Sequence, residues 1–105
     1  MAGTLASVGL AAVAASVIVA SAGVGAASVV AQRASGAADA AALAAADAAS
    51  GAVDGVPCDR AEQVAAAGGA RLRVCDLAEL IATVSVTVRF GAFEVSASAR
   101  AGPPT

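Results

Sequence analysis

No charged side chain occurs between Met1 and Gln32, and no proline interrupts the chain before Pro57. An uncharged, unbroken run of this length admits few folds. Within it, Leu5 to Ala31 reads LASVGLAAVAASVIVASAGVGAASVVA. That is longer than the ~20 apolar residues a helix needs to cross a bilayer. Its residues are small, which weakens insertion relative to a leucine-rich span and permits close helix contacts. Ser16 with Ala20, and Ser21 with Gly25, supply small-xxx-small spacing for packing against other helices. A cleaved signal peptide is the competing reading, with the small-residue stretch Ala20 to Ala22 as its cleavage site. Against it, no basic residue precedes the run, and the run continues through Val24, Val29 and Val30. Arg33 is the nearest basic residue, and taken alone it favours an outside N-terminus.

Past Gln32 the alanine pattern persists, and the first stop is Gly51, followed by Gly55 and Pro57. One helix from about Leu5 to Ser50 is therefore expected, roughly 70 Å long at ~1.5 Å per residue. At 100° per residue, Arg33, Ser35, Gly36, Asp39, Asp47 and Ser50 share one side, and the other is almost pure alanine. Leu43 falls on the polar side between the two aspartates.

The C-terminal half reads as a small α+β unit. Asp59 and Glu62 have the spacing of a capping box, which predicts a short helix from there to about Ala67, ended by Gly68-Gly69. Ala70 to Asp76 alternates as a strand with Leu72 and Val74 on its apolar face, an alternation that puts Cys75 on the polar face with Arg71 and Arg73. The clearest signal is TVSVTVRFGAFEVSASAR, in which Gly91-Ala92 suits a type II′ hairpin turn. That turn pairs Phe90 with Phe93, Val88 with Val95, Val86 with Ala97 and Val84 with Ala99 on one face. Arg89 with Glu94, Thr87 with Ser96 and Ser85 with Ser98 fall on the other. A three-stranded sheet with one apolar face needs a cover, and the alanine side of the long helix can provide it. The expected organisation is a transmembrane half-helix over residues 1–32, an extracytoplasmic half-helix over 33–51, a small α+β domain over 52–101 and a tail over 102–105.

A structural disulfide between Cys58 and Cys75 is expected, because so small a domain needs a staple; two buried free thiols are the alternative. A bond would close a loop of about 17 residues, worth ~3 kcal/mol in the chain-entropy account. It would also imply an oxidising, extracytoplasmic compartment and hence a cytoplasmic N-terminus, against the weak indication from Arg33. Two cysteines without histidine make a poor zinc site, and the spacing is not that of a redox pair.

Composition argues against several function classes. There is no histidine, all six basic residues are arginine, and the net charge is -2. That removes the usual neutral-pH acid–base group and gives no basic face for nucleic acid. The carboxylate pairs Asp39/Asp47 and Asp59/Glu62 read as a wet helix face and a cap, so neither an enzyme nor a cofactor is expected. Phe90 and Phe93 read first as a cross-strand pair, and otherwise as contacts of a secreted binding module released near Ala22.

The small-residue helix, ADAAALAAADAASG, CDRAEQVAAAGGARLRVC and the valine-alternating strand together resemble the actinobacterial TadE-like proteins. These are short pilin-like proteins of Flp (tight-adherence) pilus and secretion assemblies. The resemblance covers most of the chain, with the paired cysteines as its most specific part. It implies a minor pilin or pseudopilin, membrane-anchored with its N-terminus in the cytoplasm, whose partners are other pilin-like subunits and membrane components of the machinery. Cys58 and Cys75 match the family's paired cysteines, and Asp39 matches its acidic residue in the alanine-rich helix. One position departs from the prepilin pattern: Val8 stands five residues after Gly3, where a glutamate is usual, and the apolar run contains no glutamate.

Overall fold

A computed structural model of the chain describes residues 2–103, with side chains described from residue 25 onward. It is an α+β fold of two helices and a three-stranded antiparallel sheet in the order β1-β2-β3. Helix α1 spans Ala2–Ala49. It ends where expected: the Ser50 amide still donates to the Ala46 carbonyl at 2.9 Å, and Gly51 adopts φ +80°. That left-handed conformation suits glycine and releases the chain from the helix. Ala34, Ala37, Ala38, Ala41, Ala42, Ala45 and Ala46 are buried, while Asp39, Leu43 and Asp47 are exposed. The 3.6-residue period has thus separated an all-alanine stripe from the wet side.

Helix α2 spans Pro57–Ala67, and here one expectation is corrected. Val56 is the N-cap, Pro57 occupies the first turn, and no side chain caps the helix. Asp59 and Glu62 therefore form no capping box. Proline sets φ for the first turn and has no N–H left unpaired there. Cys58 accordingly lies inside the helix rather than before it. The helix ends at Ala67 as expected, with the Gly68 amide on the Val64 and Ala65 carbonyls. A Cβ on Gly68 would lie 3.3 Å from the Ala37 methyl, so the end of α2 is pressed closely onto α1.

The strands are β1 (Arg71–Ala78), β2 (Ile81–Phe90) and β3 (Phe93–Ala101). The β2–β3 register agrees pair for pair with the expected one, from Val84↔Ala99 to Phe90↔Phe93. Gly91 has φ +61° and Ala92 is not at positive φ, as a type II′ turn requires. Gly91→Ala should destabilise the fold by about 1–2 kcal/mol, because a Cβ in the left-handed region meets the following carbonyl. Open space surrounds Gly91, so this penalty is conformational and not steric packing. Thermal unfolding of wild type and variant checks it, and an unchanged midpoint would refute it.

Strand β1 departs from strict alternation. Leu72 pairs with Val86, but Val74 pairs with Ser85, so Arg73 is the extra residue of a bulge. One inserted residue flips every later side chain to the opposite face. Cys75 consequently pairs with Val84 and joins the covered face, not the polar face. Val74 is turned outward and is 51% exposed, not part of the apolar face. The strand also continues past Asp76 to Ala78.

The sheet's covered face holds Ala82, Val84, Val86 and Val88, all buried, with Ala97, Ala99 and Ala101 beside them. The alanine stripe of α1 lies on β2 and β3. Strand β1 is covered by α2, which also packs on α1 through the buried Ala61 and Ala65.

Candidate functional site

Cys58 of α2 and Cys75 of β1 form a disulfide, with 5.9 Å between their Cα atoms. The bulge at Arg73 makes it possible by turning Cys75 toward α2. The bond therefore joins the one strand that α1 does not cover to the helix that covers it.

The expected helix-packing residues Ser16, Ala20 and Ser21 lie outside the described side chains. Gly25 is exposed, with open space where a Cβ would stand. Among the described residues no helix is long and apolar enough to cross a membrane, and the greater part of the expected span, Leu5 to Ala31, falls outside the described side chains.

Asp39, Asp47, Asp59 and Glu62 are all exposed, and no cluster of metal-binding side chains occurs among the described residues. Phe90 is half-buried beside the turn, whereas its cross-strand partner Phe93 is 75% exposed.

The outward face of the sheet carries a polar network. Arg73 donates to Thr87 Oγ1 at 3.2 Å and to Glu94 Oε1 at 3.1 Å. The Ser85 and Ser98 hydroxyls lie 2.6 Å apart, and Arg100 donates to Thr83 Oγ1 at 3.2 Å. Arg89 stands opposite Glu94 in the register, yet the carboxylate pairs with Arg73 across two strands. The sequence pairing put Arg89 opposite Glu94, whereas the bulged residue Arg73 is the one that reaches both Thr87 and Glu94. The pair is roughly half exposed on both sides, so its contribution to stability is about 0–1 kcal/mol. Beside it an open concavity of about 360 Å³ is lined by Gly69, Ala70, Arg71, Thr87, Arg89 and Glu94.

The alanine stripe is covered by the sheet and α2, and the described surface carries an exposed aromatic at the hairpin tip and an arginine-bearing sheet face. Comparison with protein-family models, curated proteins and solved structures finds no match to this chain.

Proposed function

We propose that this chain is a membrane-anchored, pilin-like component of a Flp/Tad-type pilus or secretion assembly, a minor pilin or pseudopilin of the TadE-like kind. It works by packing its N-terminal helix against other anchors and presenting the disulfide-tied head outside the cytoplasmic membrane. The observation that carries this reading is a single helix, Ala2–Ala49. Its uncharged N-terminal part meets no break before the alanine stripe that seats the sheet. The disulfide supports an oxidising location for the head. The partners are other pilin-like subunits and the membrane proteins that assemble them. A secreted binding module freed near Ala22 is the second reading, and the exposed Phe93 favours it.

Maleimide labelling of intact cells, combined with intact mass, tests the proposal. The protein should fractionate with membranes, keep residues 1–22, and accept an impermeant maleimide only after an impermeant reductant is added. Labelling before reduction refutes the oxidised head. Labelling that requires lysis places the head inside. Loss of the first 22 residues selects the secreted module.

A further inference from the structure

The direction in which the head sits on α1 is fixed by two contacts. Gly68, just past α2, abuts Ala37 of α1. Cys58, near the start of α2, is tied to Cys75 of β1. Because α2 follows α1 through a short connection after Gly51, it runs back along α1 toward Ala37. Strand β1 begins at Arg71, close to Gly68, and leads away toward Cys58. It therefore runs in the direction of α1, β2 runs against it, and the Gly91–Ala92 turn faces the N-terminal half of α1.

Burial along the stripe agrees. Ala34 is fully buried and Val30 half-buried, although α2 has already ended at the level of Ala37. The hairpin end of the sheet is the element left to reach over them. Thr87 pairs with Arg71, and the three residues after Thr87 carry the turn roughly 10 Å farther at ~3.3 Å per residue. Ala31, the end of the uncharged segment, lies about 9 Å from Ala37 along the helix at ~1.5 Å per residue. The tip thus stands level with the end of that segment.

Charge is distributed along the same axis. Arg33, Arg71, Arg73 and Arg89 lie at the end of the head nearer the uncharged helix, with Asp39 and Glu94 among them, and Glu62 lies midway along α2. Asp47, Asp54, Asp59, Asp76 and Glu79 lie toward the opposite end, with Arg60 and Arg100. Glu94 is engaged by Arg73, while Arg71 and Arg89 form no salt bridge among the described residues. The tip presents Phe93, 75% exposed, on the face of the sheet that carries α1.

We propose that this hairpin tip is a second membrane contact: Phe93 enters the interface of an anionic bilayer, and Arg71 and Arg89 lie against lipid phosphates. The proposal rests on the anchored reading above. A phenylalanine ring can bury at the boundary between headgroups and acyl chains, and arginines beside an anionic leaflet add electrostatic attraction. The contact would fix the head at a set tilt beside its own anchor and leave the acidic end free.

The test uses full-length protein with Phe93→Trp, whose tryptophan is unique because the chain has none. It is reconstituted into phosphatidylglycerol–phosphatidylcholine vesicles with or without bromine on the upper acyl carbons. Interfacial insertion predicts a loss of emission in the brominated vesicles relative to the unbrominated ones. Leu80→Trp, at the acidic end, should be unaffected. Adding Arg71→Gln and Arg89→Gln to the Phe93→Trp protein should reduce the quenching in anionic vesicles. If the protein floats with vesicles but Phe93→Trp is unquenched, the tip contact fails and the anchor stands. If the protein does not float, the anchor reading fails and the tip contact with it. Quenching indifferent to the arginines and to lipid charge would overturn their assigned role.

Discussion

Cys58→Ala with Cys75→Ala should cost the head about 3 kcal/mol, the chain-entropy value for a sequence separation of 17. That is a large share of what so small a unit possesses. At the usual density of stability, roughly 50 residues hold about 3–8 kcal/mol. The core here is thin: Val84 and Val86 are the largest fully buried side chains among the described residues, and the rest of the cluster is mainly alanine. The bond also sits where apolar cover is poorest. Strand β1 packs on α2 but not on α1 to any comparable extent, and outward-facing Val74 adds nothing to the core. Without the bond, α2 and β1 are held by Leu72, Ala61, Ala65 and the β1–β2 ladder. The double variant should melt near or below 37 °C by far-UV circular dichroism, and lose protease resistance in the head while α1 keeps its helical signal. A urea unfolding free energy within about 1 kcal/mol of wild type would show that packing alone suffices.

The fold was legible where two independent signals agreed, and obscure where only one was available. In the β2–β3 hairpin, the alternating valines and the Gly91 turn select the same register, and a slip by one residue would put Val84, Val86 and Val88 into water. The alanine stripe was legible for the same reason: the helical period and the positions of Asp39 and Asp47 coincide. Strand β1 offered alternation alone. Its bulge at Arg73 has no glycine to mark it, and the β1–β2 connection turns at Glu79 with φ 58° without the Gly or Asn that normally announces such a turn. The exposed Leu77, Leu80 and Ile81 around that turn further hide it. The capping-box expectation failed because Pro57 competes for the same helix start and needs no side-chain cap. The one clue to the bulge was chemical: strict alternation put a cysteine on the arginine face, where a bond to Cys58 could not be made. Of the candidate surfaces, the phenylalanine pair was visible in sequence. The unequal burial of its two members was not, because it depends on how far the hairpin overhangs α1.

Ala41→Asp should abolish folding of the head, whereas Ala40→Asp should leave it within about 0.5 kcal/mol of wild type. The two positions are adjacent, have the same helix propensity and receive the same charge, so only the face of α1 distinguishes them. Ala41 is fully buried against the sheet and α2 side of the helix, and no buried polar or charged side chain occurs among the described residues. A carboxylate placed there would meet only methyl groups and valines, at a cost of several kcal/mol for an unpaired buried charge. Ala40 is exposed beside Asp39. Ala41→Leu separates fit from charge. Leucine is a good helix former, so its effect must come from overpacking, about 1–3 kcal/mol. With about 4–8 °C per kcal/mol for a domain of this size, the melting point should fall visibly. The ranking Ala41→Asp, then Ala41→Leu, then Ala40→Asp follows from one circumstance. Methyl groups set the separation between α1 and the strands, so the helix face has no room for a larger side chain and no partner for a polar one. Equal melting of Ala41→Asp and Ala40→Asp in full-length protein would mean that the valine strands do not rest on this stripe. The orientation of the hairpin tip toward the uncharged helix would then lose its foundation as well.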